Sequence, residues 1–100
     1  MIVVNIEKQN GKYKKIKVLG HAMYDDYGKD IVCSAASSIA TTTINGILSL
    51  NEGSLSYEVS KEGLVINICD ISNTTQTLIE NMINLLKELE ENYPTNIQVK

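Results

Sequence analysis

Residues 2–19 read IVVNIEKQNGKYKKIKVL, and this stretch decides the fold because it predicts two strands around one tight turn. Asn10-Gly11 suits a two-residue type I′ turn, since both central residues of that turn need a positive φ. The sequence therefore predicts strands over residues 2–9 and 12–20, and Gly20 ends the second strand.

A first helix is predicted from residue 31 onward, because apolar residues recur there at helical spacing. Asp30 is a favourable N-cap residue, and the helix is expected to end near Asn51. Its apolar stripe consists mostly of small residues, and its other side is rich in serine and threonine. Small side chains let a helix approach a sheet closely.

Two more strands and a short last strand are predicted in the second half of the chain. Apolar and polar residues alternate over residues 54–60, which is typical of a half-buried strand. Residues 64–71 are apolar on nearly both faces, which indicates a central strand. Alternation resumes over residues 97–100.

A second helix follows the fourth strand. Ser72 or Asn73 caps it, and Gln76 is placed to complete a box-like cap on Asn73. Tyr93-Pro94 stops it, because the residue before a proline disfavours helical geometry.

The element order is therefore ββαββαβ, within one α/β (α+β) domain that spans residues 1–100. A five-stranded sheet with two helices on one face is the simplest arrangement that buries both amphipathic helices.

Composition and charge limit the classes of function to be considered. The net charge is −3 and the pI about 5.0, which disfavours direct nucleic-acid binding. No signal peptide or membrane span is expected, because the apolar runs are short. The expected location is the cytoplasm. One basic cluster surrounds the predicted hairpin, where lysines usually protect exposed strands: Lys8, Lys12, Lys14, Lys15 and Lys17.

Cys33 and His21 are candidates for nucleophilic catalysis. His21 is the only histidine of the chain and follows a strand end, while Cys33 is one of two cysteines. With Asp30 as cap, Cys33 is the third helical residue, where unpaired N–H groups and the helix dipole favour a thiolate. The helical wheel places Cys33 at the border of the buried face. His21 can then take the thiol proton and return it to a leaving amine.

A loop joins these two residues and is interpreted as a mobile flap over a peptide-binding groove. Asp25-Asp26 is a solvated loop tip or a means of attracting a basic substrate. Asp30 either only caps the helix or also orients His21. The loop residues are Ala22, Met23, Tyr24, Asp25, Asp26, Tyr27 and Gly28.

Three alternatives stay open at this point. Cys33 can be a small core residue, and His21 a surface or structural group. A zinc site is disfavoured, because His21, Cys33 and Cys69 are too few and lack a metal-ligand spacing; no metal or other cofactor is expected. A thiol redox role lacks a nearby resolving cysteine, since Cys69 is predicted to be an inert thiol buried in the fourth strand.

The segment from Gly20 to Ser37 resembles the signature of the ribosomal-processing cysteine protease (Prp) family. Spacing and several uncommon neighbours agree together, and the resemblance in length and element order covers essentially the whole chain. Ser34 is the one departure, since the family more often has alanine there. The matching residues are Gly20-His21-Ala22, then, after five residues, Gly28, Asp30-Ile31-Val32-Cys33, Ala35 and Ser37.

The resemblance implies a cysteine endopeptidase that removes an N-terminal extension from a ribosomal large-subunit protein. By that analogy Cys33 is the nucleophile, His21 is the base and acid, and Asp30, Gly20 and Ser37 support the site. It also implies a homodimer and a substrate with an apolar, aromatic stretch before the cut. The alternative is a non-enzymatic dimeric interaction module associated with ribosome assembly.

Overall fold

The fold is seen in a computed structural model that describes residues 1–20 and 27–100, apart from the side chains of residues 27–30. Helices and strands follow one another in the predicted order ββαββαβ. They are β1 (Ile2–Gln9), β2 (Lys12–Leu19), α1 (Tyr27–Leu50), β3 (Leu55–Val59), β4 (Gly63–Ile68), α2 (Asn73–Asn92) and β5 (Ile97–Val99).

The turn between β1 and β2 has the predicted geometry. Asn10 has a φ of 53° and Gly11 a φ of 78°, so both central residues adopt the positive values that a type I′ turn requires. The two strands pair antiparallel, with Val4 opposite Val18, and a bulge falls between Glu7 and Lys8. The hairpin predicted from the sequence is thereby confirmed.

The five strands form one sheet in the order β3-β4-β2-β1-β5. β5 runs parallel to β1, and the other neighbours are antiparallel. β4 lies inside the sheet, as its apolar sequence predicted. It ends at Ile68, three residues before the predicted end, because the N–H groups of Cys69 and Asp70 both donate to the carbonyl of Ser54, at 2.8 and 3.1 Å.

The core lies between one face of this sheet and the two helices. Ile16 pairs with Ile66 and Val18 with Leu64, so these side chains point to the same face. That face buries a continuous apolar cluster with both helices. The helix residues in the cluster are Val32, Ala36, Ala40, Ile44 and Ile47 from α1, and Ile79, Met82, Ile83 and Leu86 from α2.

β3 is less buried than its alternating sequence predicted. Leu55 is 5% exposed, whereas Tyr57 is 46% exposed and Val59 is 70% exposed. The difference follows from the position of β3 at the edge of the sheet, where a strand has a neighbour on one side. Alternation of apolar and polar residues along a strand predicts which face of the sheet a side chain is on. It does not predict whether other residues cover that face.

Helix α1 also has the length and composition of a membrane-spanning segment. Its part Ile31–Leu50 is 20 residues long and has a mean hydropathy of 1.4. In this fold, Val32, Ala36 and Ile44 face the core, while Ser34 and Ser38 on the other side are exposed. Core helices of soluble proteins can have the same length and apolar composition. The expectation that no segment spans a membrane stays a prediction.

The second helix is capped by Ser72, one of the two predicted cap residues. The hydroxyl of Ser72 accepts the N–H of Thr75 at 3.4 Å. Gln76 does not complete a capping box, contrary to prediction. It is 8% exposed and ties the helix to β2: its amide accepts the N–H of Tyr13 at 2.7 Å and donates to the carbonyl of Tyr13 at 3.1 Å. The buried amide group of Gln76 thus bonds to the backbone of β2, and it does not cap its own helix.

Asp70 stabilises the start of α2 in a pH-dependent way. Its carboxylate accepts the hydroxyl of Ser72 at 2.7 Å, the N–H of Ser72 at 3.0 Å and the hydroxyl of Thr75 at 2.8 Å. These hydrogen bonds, those from Ser72 first, hold the pKa of Asp70 below its ordinary value. Because the folded pKa is the lower one, this stabilisation is present above the unfolded pKa of about 4 and is lost as pH falls through the folded pKa.

We therefore expect the free energy of unfolding to fall more steeply below about pH 4 in the wild type than in Asp70→Asn. Urea unfolding at a series of pH values measures this. Thr75→Val deletes one hydrogen bond and keeps the carboxylate, so its pH dependence should lie between the other two. Parallel curves for all three proteins would contradict the assignment.

Candidate active site

Cys33 lies on helix α1 at the border between the core and the surface. It is half-buried, and its side chain packs against the core cluster. The helical wheel predicted this position. A cysteine that served only as a core residue would be expected in the middle of the apolar stripe of α1, for example at the position of the fully buried Ala36.

The helix starts earlier than predicted. It begins at Tyr27, so Asp30 is its fourth residue and not its N-cap, and Cys33 is its seventh residue. The prediction failed because aspartate is favoured both at the N-cap and within the first helical turn. Cys33 therefore sits in the second turn, where its N–H bonds within the helix and the dipole effect has weakened. The unpaired N–H groups belong to the turn before it.

His21 and most of the predicted flap lie outside the described residues, namely Ala22, Met23, Tyr24, Asp25 and Asp26. Tyr27 and Gly28, which were also predicted to be loop, belong to the first turn of α1. The side chain of Asp30 likewise lies outside the described part, so its proposed orientation of His21 and its support of the site stay predictions, whereas its role as N-cap is wrong.

The strand end that leads into His21 is held firmly by its neighbours. Gly20 has a φ of 83°, and its N–H donates to the carbonyl of Glu62 at 2.8 Å. A Cβ on Gly20 would lie 2.6 Å from the carbonyl oxygen of Met1, which is closer than a side chain tolerates. The backbone thus requires glycine at position 20, and the predicted support of the site by Gly20 stays a prediction.

A groove runs along α1 from the turn after Cys33, between that helix and the edge strand β3. It has a volume of about 200 Å³ and a mostly apolar lining. This feature, called the α1–β3 groove below, includes the predicted supporting residue Ser37. Among the described residues its walls include Ala36, Ser37, Ala40 and Thr41 from α1, and Tyr57 and Val59 from β3.

The groove lies at the same end of the sheet as Gly20. Val18 and Leu64 also line it, and this pair lies next to the Leu19–Gly63 pair in the sheet. The structure thus places Cys33, the groove and the strand end before His21 in one region. Sequence reasoning missed the groove, because its walls come from segments about 20 residues apart. Alternation predicts that Tyr57 and Val59 lie on the buried face of a half-buried strand, whereas both are exposed.

Cys69 is exposed, contrary to the prediction of a buried thiol. It follows the early end of β4, and its N–H donates to Ser54. Since Gly63 lies near Gly20, Cys69 stands at the other end of a strand that rises about 3.3 Å per residue, some 20 Å away. The two cysteines therefore lie toward opposite ends of the sheet, which disfavours a disulfide exchange between them.

Metal binding has no support in the part of the chain that the structure describes. There, no three His, Cys, Asp or Glu side chains are grouped to hold an ion. The chemistry that the described site can perform is that of a thiol beside an apolar groove.

Comparisons with known proteins show one family and several relatives that the chain resembles over nearly its whole length. The family described as cysteine protease Prp matches residues 1–98. The ribosomal processing cysteine protease Prp of Staphylococcus aureus is 31% identical over 103 residues, covering 99% of this chain and 97% of that protein. A crystal structure of the S. aureus Prp with a substrate peptide has a TM-score of 0.89 at 30% identity, covering 100% of this chain and 98% of that one. Another, with a covalently linked product peptide, has a TM-score of 0.86 at 30% identity and the same coverage.

Proposed function

This chain belongs to the Prp family of cysteine proteases, and we propose that it removes an N-terminal extension from a ribosomal large-subunit protein, with Cys33 as nucleophile and His21 as general base and acid. Family membership makes the chain a cysteine peptidase, so the alternative of a non-enzymatic interaction module is set aside. The observation that carries the residue assignment is the position of Cys33, half-buried on α1 about one helical turn before the residues that line an apolar groove.

The proposed peptide hydrolysis uses the thiol of Cys33 and the imidazole of His21. His21 takes the proton of Cys33, and the thiolate attacks the scissile carbonyl carbon. The tetrahedral intermediate collapses, the peptide C–N bond breaks, and the imidazolium gives its proton to the leaving amine. Water, deprotonated by His21, then hydrolyses the thioester and restores the thiol. A related structure that holds a covalently linked product peptide supports covalent catalysis in the family.

The first turn of α1 is the proposed source of oxyanion stabilisation. Its N–H groups have no partner within the helix. Residues 27–30 lie three to six positions before Cys33, about 5–9 Å along the helix axis. Side chains on a helix lean toward its N-terminus, so the sulfur is directed back toward these groups.

The proposal includes a cytoplasmic location and a homodimer. Ribosomal substrates are made in the cytoplasm, and the dimer rests on the family resemblance. Cell fractionation tests the location, and sedimentation velocity of the purified chain tests the dimer.

Incubation with large-subunit ribosomal proteins that carry N-terminal extensions, followed by intact-mass spectrometry, tests the substrate. We expect one protein to lose a short N-terminal peptide. His21→Ala should slow this cleavage by about 10²–10⁴-fold, the usual contribution of a general base and acid. Lys87→Ala, a change at an exposed position of α2, is the control and should cleave at the wild-type rate. Cleavage of none of these proteins, or a wild-type rate in His21→Ala, would overturn the proposal.

A further inference from the structure

The positive charge of the chain is concentrated in the β1–β2 hairpin. Residues 7–17 contain five of the nine lysines and a single acid, so this segment carries a charge of +4, whereas the whole chain carries −3. The whole-chain charge disfavours nucleic-acid binding, but it is the sum of a basic hairpin and an acidic remainder. The lysines of the segment are Lys8, Lys12, Lys14, Lys15 and Lys17.

The bulge in the hairpin decides which face of the sheet these lysines are on. From Ile16, which faces the core, the pairs of β2 with β1 continue through Lys15, Tyr13 and Lys12, and they skip Lys14. Lys14 is therefore the extra residue of the bulge. Successive pairs alternate between the two faces of the sheet. Tyr13 thus turns to the helix side, and Lys12 joins Lys15 on the outer face, which is the face opposite the two helices.

The outer face carries further polar side chains beside these lysines. Lys17 is on this face as well, because it is paired with Val65 between two core pairs, and Asn67 is paired with Lys15. Lysine and asparagine are among the side chains that contact phosphate oxygens. Glu58 is on the same face, but it lies on the edge strand, two strands from Lys17 and about 10 Å away. The surface formed by Lys12, Lys14, Lys15 and Lys17 is called the hairpin lysine surface below.

The fold itself does not account for these lysines. Protection of a sheet edge does not explain Lys15, because β2 is an inner strand and Lys15 is paired on both sides. In the part of the chain that the structure describes, Lys17 has an ion pair with Glu7 at 3.9 Å, and the other three have none. Unpaired lysines gathered on one open surface attract an anionic partner. The three are Lys12, Lys14 and Lys15.

Helix α2 holds the hairpin in place. The amide of Gln76 accepts the N–H of Tyr13 at 2.7 Å and donates to its carbonyl at 3.1 Å, and the hydroxyl of Tyr13 donates to Glu80 at 3.2 Å. The ammonium of Lys8 lies 4.7 Å from the centre of the Tyr13 ring, on the helix side, so it is not part of the hairpin lysine surface. A fixed backbone under the lysines lowers the entropy lost on binding.

We propose that the hairpin lysine surface binds the phosphate backbone of RNA without reading its sequence. Base stacking needs an aromatic side chain, and Tyr13, the aromatic residue of the hairpin, faces the helices. The choice of RNA over other polyanions rests on the proposed function, because a ribosomal protein lies beside ribosomal RNA. Lys12 and Gly20 are at opposite ends of β2, about 26 Å apart, so bound RNA leaves the end of the sheet near Cys33 free.

The test is the binding of a fluorescein-labelled oligouridylate, measured by fluorescence anisotropy at a series of salt concentrations. Three unpaired lysines predict a slope of about −2 for log K against log salt concentration, at about 0.7 per phosphate contact. The double variant Lys12→Gln, Lys14→Gln should bind at least tenfold more weakly at low salt, with a slope of about −0.7. The double variant Lys61→Gln, Lys87→Gln removes the same charge from exposed positions elsewhere and should lose less than threefold.

Both double variants should unfold in urea like the wild type and cleave a short peptide at the wild-type rate, because the hairpin is far from Cys33. Equal losses of RNA binding in the two variants, or a wild-type slope near zero, would overturn the inference. Tighter binding of polyglutamate than of oligouridylate would assign the surface to an acidic protein segment and would overturn it too. Cleavage of a ribosomal protein without RNA binding refutes this inference alone, whereas RNA binding without cleavage refutes the proposed function alone.

Discussion

Replacing Cys33 with alanine should abolish peptide cleavage, with a loss in kcat of at least about 10⁴-fold, because loss of the nucleophile removes covalent catalysis altogether. The fold should survive. Cys33 is half-buried, and alanine already occupies neighbouring positions of the same helix, so the unfolding free energy should change by no more than about 1 kcal/mol. Product formation by mass spectrometry and urea unfolding measure the two effects.

Cys69→Ala is the matched control for this change. Cys69 is the other thiol of the chain, is exposed, and lies toward the opposite end of the sheet. We expect Cys69→Ala to keep wild-type activity. Equal losses in the two variants, or more than a few per cent of activity in Cys33→Ala, would contradict the assignment of the nucleophile.

Among the glycines whose surroundings the structure describes, Gly63→Ala should produce the largest loss of stability. Gly63 begins β4 with a φ of 141°, and a Cβ there would overlap the carbonyl oxygen of Val18 and lie 3.0 Å from the Cα of Leu19. Backbone strain of about 1–3 kcal/mol adds to about 1–3 kcal/mol of overpacking. The expected cost of about 2–6 kcal/mol is a large part of a total stability of about 5–15 kcal/mol.

The control for this prediction is a glycine substitution that should raise the unfolding free energy. Gly46 lies inside α1, and a Cβ there meets nothing within 4 Å. Gly46→Ala should therefore raise the unfolding free energy by about 0.5–1 kcal/mol, because alanine loses less backbone entropy in a helix. Urea unfolding of both variants tests the pair. A stable Gly63→Ala protein would show that β4 can start without this close approach to β2.

Sequence patterns predict the helices, strands and turns of this fold well. They predict less well which side chains other parts of the chain cover. Asn10-Gly11 specifies its turn through backbone preference alone, and Ser72 caps α2 through its own hydroxyl. Such local signals do not depend on distant residues. The exposure of Tyr57 and the early end of β4 depend on which strand lies at the edge and on the carbonyl of Ser54, and neither can be read from local alternation.

The same limit applies to the candidate site. The position of Cys33 at the border of the buried face follows from helical spacing and was predicted. The start of α1 at Tyr27 was not predicted, because an aspartate such as Asp30 is favoured both at the N-cap and within the first helical turn. The α1–β3 groove joins Ala36 to Tyr57, and no pattern within either segment indicates that pairing.

The most direct test of the central claim is covalent trapping with a substrate-derived peptide that carries a chloromethyl ketone, followed by peptide mapping. Accessibility alone would favour the exposed Cys69 over the half-buried Cys33. We expect a single adduct on Cys33 and an unmodified Cys69, because only a thiol positioned beside the bound peptide reacts as the nucleophile. An adduct on Cys69, or an unmodified Cys33 after the peptide has bound, would contradict the claim that Cys33 performs the reaction.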